Sequence, residues 1–215
     1  MNSSVNILEA IRKELAEMNQ QILNHPLLKV AEEGRLKRKT IEALVINQWY
    51  IVNHDLRSLA IGLSRSKRLE ELDLFKEFLD GDYKALKELE KLMKELNIEI
   101  KDPLLYNISP QAVSYTHYLS WLANYVEPSE FLFALIVNIT VWASVITRLG
   151  DILKEKYGIK ETGFFDEFKG SYEEIEKRIS SLVDERQIER LRTISFTIQA
   201  YEKAFWDEMY NINSS

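Results

Sequence analysis

Residues 131–147 read FLFALIVNITVWASVIT and carry no charged side chain. That is about 17 residues, longer than the apolar stripe of a surface helix allows and shorter than a comfortable membrane span. A helix that is apolar all round must be covered all round, so this stretch predicts a central buried helix with the other elements packed against it. It starts after Pro128 and Ser129, with the serine as the expected cap, and runs on into the charged segment 148–156 before Gly158. Asn138 interrupts the pattern. At about 100° per residue it shares a face with Phe131, Ala134, Leu135, Trp142, Val145 and Leu149. A buried amide needs partners, which either another protein group or a ligand supplies.

The remainder of the chain also reads as helix. Seven glycines and four prolines are few for the 215 residues, and no run alternates apolar and polar side chains for long. Residues 5–23 are amphipathic, with Leu8, Ile11, Leu15 and Met18 at helical spacing, and His25-Pro26 breaks them. A long helix is predicted over 40–63. Residues 69–79 and 83–96 read as a charged hairpin around Gly81. Asp102-Pro103 and Ser109-Pro110 bracket a loop, and a helix over 111–125 leads to the central one. An aromatic loop, 163–170, precedes helices expected over 172–183 and 185–210. With no repeat, linker or low-complexity segment, one all-α domain over 1–215 is expected.

Composition narrows the function. A net charge of −6, with RLKRK at 35–39 as the one basic cluster, gives no reason to expect nucleic acid or an acidic membrane. There is no cysteine, which removes disulfides, thiolate metal sites and cysteine nucleophiles. The N-terminus lacks the pattern of a signal peptide, so a cytoplasmic protein is expected. The three histidines, His25, His54 and His117, form no HxxxH or ExxH pair, so neither a metal nor a cofactor is expected. Glycine-rich phosphate loops and GxSxG are also missing.

Against this background Glu202 is the sharpest anomaly. It lies in line with Leu191, Ile198, Phe205, Trp206 and Met209, which places a carboxylate on the apolar face of the last helix. Burial would raise its pKa towards that of a general acid or base; a position at the edge of the stripe, paired with an Arg or Tyr, would not. Aromatic and polar residues are interleaved over 48–55 (QWYIVNHD), where Tyr50, His54 and Arg57 come close to alignment.

Several segments, in order, resemble the TenA family (thiaminase II-like), whose fold is the all-helical haem oxygenase type. They are His25-Pro26-Leu27, Gln48-Trp49-Tyr50, Pro110 with Tyr115-Thr116 and Leu119, and Arg148-Leu149 closing the central helix. Phe164 to Phe168 stands where the family has Trp-x-x-x-Tyr, and Glu202-Lys203-Ala204-Phe205-Trp206-Asp207 is similar to its Glu-x-x-Phe-Trp-[Asp/Glu] tail. The resemblance implies a site with Glu202 as acid/base and Trp49, Tyr50, Tyr115, Asn138 and Trp142 around a small pyrimidine-like heteroaromatic. It also implies a homo-oligomer, specifically a tetramer. Two departures matter: the family's substrate-holding aspartate falls on Trp49, and its nucleophilic cysteine falls on Asn138. An amide cannot replace a thiolate in forming a covalent adduct, so the cysteine-dependent thiaminase route is excluded.

Three readings stay open. The first is a C–N hydrolase of thiamin salvage, using Glu202 without a covalent adduct. The second is a small-molecule-binding or regulatory protein that keeps the pocket and has lost the chemistry. The third is a metal oxidase of the same fold, for which the scattered histidines are a poor ligand set.

Overall fold

The computed structural model describes residues 6–100 and 107–215. Among these, ten α-helices and one 3-10 turn form the chain: α1 (Ile7–Glu14), α2 (Ala16–Leu23), α3 (Pro26–Glu32), α4 (Arg38–Arg65), α5 (Leu69–Glu95), α6 (Pro110–Tyr125), α7 (Pro128–Tyr157), α8 (Gly163–Asp166), α9 (Glu173–Ser180), the 3-10 turn (Glu185–Gln187) and α10 (Ile188–Ser214). No strand occurs among the described residues. The fold is all-α, and the uncharged stretch lies inside α7, as its composition requires.

α7 is long and apolar enough to cross a membrane, yet 78% of its most apolar window is buried by neighbouring helices. It runs between two apolar clusters. Phe131 to Val137 pack with Leu59, Leu74, Phe75, Leu122 and Ile198, whereas Trp142, Val145, Ile146 and Leu149 pack with Leu44, Leu89, Phe164, Phe205 and Trp206. Tyr115 and Ile139 touch both clusters. The candidate site lies at this junction, where neither cluster closes completely.

Four expectations are corrected. The predicted helix over 5–23 divides at Leu15 into α1 and α2, although Leu15 keeps right-handed helical angles and its backbone bonds to Ile11 and Asn19 continue the helical pattern. The predicted hairpin around Gly81 is instead one helix, α5. Gly81 is exposed with open space where a Cβ would be, and the buried stripe Leu74, Phe75, Ala85, Leu89 and Leu92 continues past it. Packing along that stripe outweighs the roughly 1 kcal/mol cost of one helical glycine. α7 is capped by Glu127 and not Ser129; Pro128 takes the first turn and Ser129 is buried behind it. The aromatic loop 163–170 opens with a short helix, α8. Asp102-Pro103, expected to open a loop, lies outside the described residues.

His25 explains the break before α3. Its Nδ1 accepts from the Leu27 N–H at 3.2 Å, while Nε2 faces Asp207 of α10 at 3.0 Å. One ring caps a helix start and fastens it to the last helix. At Gly150 a Cβ would collide with Phe165, so glycine is what lets α8 lie close against α7.

Candidate functional site

Glu202 is buried, 3% exposed, on the face of α10 turned towards α7. Trp206, one turn later, donates its indole N–H to Oε1 at 2.7 Å. Asn138 of α7 donates its amide to Oε2 at 3.3 Å and to Gln199 Oε1 at 2.9 Å. The Asn138 carbonyl accepts the Tyr115 hydroxyl of α6 at 3.0 Å, and Gln199 passes the chain on to Asn19 at 2.6 Å. The buried amide is therefore satisfied within the protein, and in the process it holds the carboxyl of Glu202. No cation pairs with Glu202 among the described residues. Burial raises its pKa from the ordinary 4.5 to about 7, against the opposing pull of the Trp206 and Asn138 hydrogen bonds.

These groups border a partly open cavity of about 70 Å³, room for a few waters in this conformation. Tyr115, Asn138, Trp142 and Glu202 all line it. Trp142 supplies a flat apolar wall, held edge-on by Phe168 and Phe205 at 5.9 and 5.7 Å between ring centres. Phe168 and Phe205 themselves reach the cavity.

Trp49 and Tyr50 do not line it. Tyr50 stacks on His54 with ring centres 3.9 Å apart, and its hydroxyl meets His117 Nε2 at 3.1 Å, on the outer side of α4 and α6. Trp49 packs against the cluster around Trp206. The residues that α4 does turn inward are Gln48, Ile51, Val52, Asp55 and Leu59. One residue along a helix is about 100° of rotation, so Gln48 faces the cavity while its motif neighbours Trp49 and Tyr50 do not.

Sequence reasoning missed Gln48, Asp55 and Asp82. A signal existed for the first two: positions 48, 52, 55 and 59 follow one helical stripe, and two of its members are polar. Asp82 was hidden by the supposed turn at Gly81. Asp55 is 7% exposed and accepts the Thr116 hydroxyl at 2.5 Å. Its pKa is raised well above the carboxylate range by burial and then by the charge of Asp82, with the Thr116 bond opposing. Burial raises Asp82 as well. The Tyr115 hydroxyl is raised first by burial and then by Asp55, Glu202 and Asp82. No group of three metal-ligating side chains occurs among the described residues.

The bundle built on one central helix is of the haem oxygenase-like all-α type, and a buried carboxyl faces a partly open, aromatic-walled cavity inside it. Among solved structures it is similar to a TenA homologue from Pyrococcus furiosus (22% identity, TM-score 0.75, 95% of this chain and 100% of the other). It is also similar to a TenA family transcription regulator from Silicibacter sp. (15%, TM-score 0.76, 94% and 96%) and to haem oxygenase-1 of Synechocystis sp. in complex with heme (13%, TM-score 0.71, 97% and 94%). The model of the TENA/THI-4/PQQC family matches residues 12–212, and the chain belongs to that family. No curated protein matches it. A haem does not fit here: the cavity is small for a macrocycle and no histidine lines it.

Proposed function

We propose that this TenA-like protein binds an aminopyrimidine or related small heteroaromatic and hydrolyses a C–N bond in it, as in thiamin salvage, with Glu202 as acid and base. The observation that carries the reading is the Glu202 carboxyl, buried at the cavity wall without a cation and raised to about 7. Such a group takes a proton from water at neutral pH and can return it. In the proposed step a water oxygen bonds to the carbon that carries the departing nitrogen, Glu202 takes the water proton, and the same proton passes to the departing amine as the C–N bond breaks. Trp142 and Phe205 stack the ring, and Asn138 fixes the carboxyl by its amide.

The test is incubation with thiamin, an aminopyrimidine and a formylaminopyrimidine, with product followed by mass spectrometry. Product that disappears in Glu202→Gln supports the hydrolase; absence of product with every substrate overturns it. A specific observation favours the second reading, a binding protein without turnover: Asn138, where the family's nucleophile would stand, is already engaged by Tyr115, Gln199 and Glu202. Ligand-induced stabilisation without product would establish it.

A further inference from the structure

The part of the cavity wall formed by α4 and α5 is not used by the chemistry of Glu202. Gln48 and Asp55, two turns apart on α4, and Asp82 on α5 all line the cavity. Gln48 is 3% exposed, and its side-chain amide has no hydrogen-bond partner among the described residues. The amide opens on the cavity with its hydrogen-bonding capacity unspent within the protein, so a group held in the cavity is its natural partner. Asp55 spends one oxygen on Thr116. Asp82, half-buried, has neither hydrogen bond nor ion pair among the described residues. Among the described residues, no Lys, Arg or His lines the cavity. The surface facing the free volume thus has a surplus of acceptors and no positive charge.

We propose that Gln48, Asp55 and Asp82 form a cation-holding subsite, where a protonated amine or amidinium group of the ligand lies against the two carboxyls and gives a further N–H to the Gln48 carbonyl. An amidinium edge matches a carboxylate with two parallel hydrogen bonds, and an amine spreads three donors over the same acceptors. Burial and mutual repulsion resist charge on the two carboxyls, and an arriving cation removes that resistance. The subsite draws on two consecutive helices, α4 and α5. It deepens the reading of this cavity as a heteroaromatic site, by stating that the ligand carries a positive charge and which wall holds it.

Calorimetric titration of the full chain tests it with two matched pairs: benzamidine against benzamide, and an aminomethylpyrimidine against its hydroxymethyl counterpart. Benzamidine is expected to bind about tenfold or more tightly than benzamide to the wild type and to Glu202→Gln, and the preference is expected to vanish in Asp82→Asn. Asp82 has no partner to lose, so that variant keeps the fold even if Asp55→Asn, which breaks the Thr116 contact, does not. Equal affinity for the charged and neutral compounds, binding of neither, or a preference that survives Asp82→Asn would each overturn the proposal. Benzamidine preference with no affinity for either pyrimidine would sink the pyrimidine reading while the subsite stands.

Discussion

Glu130 and Glu202 are buried to the same depth, 2% and 3% exposed, and serve different ends. Glu130, in the first turn of α7, meets the Arg190 guanidinium through two bonds of 2.8 Å and accepts the Glu127 N–H at 3.1 Å. The Gln187 amide adds a longer bond at 3.4 Å, the other partners complete a helix start or an ion pair, and the Arg190 side chain is 61% exposed. Glu202 meets only neutral donors, an indole and an amide, and beside them is free volume. Depth alone therefore does not mark a working carboxyl. In the proposed reading the missing cation and the adjacent cavity do, because together they leave the carboxyl able to exchange its proton with the cavity.

The largest effect that would break this contrast is on turnover. Glu202→Gln should lower the rate of C–N hydrolysis by about 10²- to 10⁴-fold while heteroaromatic binding by calorimetry stays within a few-fold. Glu130→Gln should leave the rate unchanged, and a rate loss there would remove the distinction.

The next effect is on stability against pH. Glu202 holds its proton in the folded state up to about pH 7, whereas the unfolded chain releases it near 4.5. The stability this gives is complete below pH 4.5 and is lost as pH rises through 7, about 3 kcal/mol from this group. Asp55 and Asp82 act in the same direction. Urea unfolding at pH 5 and pH 8 should show the wild type weaker at pH 8, and Glu202→Gln should reduce the difference, leaving the part due to Asp55 and Asp82. A profile unchanged by the substitution would mean that the carboxyl is not desolvated.

Smaller still is the cost of removing the other glutamate. Glu130→Ala should lower the unfolding free energy by about 1–2 kcal/mol, as the loss of a cap and a half-exposed pair. Its urea profile should keep the wild-type dependence on pH, which sharpens the contrast with Glu202. Smallest is Gly81→Ala, in an exposed helical position with open space, which should add about 0.5–1 kcal/mol and move neither carboxyl. Destabilisation there would mean that α5 is not continuous through Gly81, and Asp82 would lose its place on the cavity wall.

Some of this was legible from residues in a row. The uncharged stretch of α7 required a buried helix, the stripe through Glu202 placed a carboxyl on an apolar face, and Asn138 stood out as a buried amide. Local spacing carries such facts because a helix repeats every 3.6 residues whatever surrounds it. It failed where one residue of rotation or one glycine decided the outcome. Trp49 and Tyr50 share a motif with Gln48 and face elsewhere, and the supposed turn at Gly81 concealed Asp82.

By itself, then, the sequence determined that the chain is helical, which helix is central, which carboxyl is out of place, and that no thiolate chemistry is available. Only the tertiary structure decided that Asn138 is held by Tyr115, Gln199 and Glu202, and that Asp55 and Asp82 join Glu202 around one cavity. The physical reason is that a carboxyl's proton affinity follows from what surrounds it. Those surroundings come from α4, α5, α6, α7 and α10, whose cavity-lining residues run from Gln48 to Phe205 and meet only once the chain is packed.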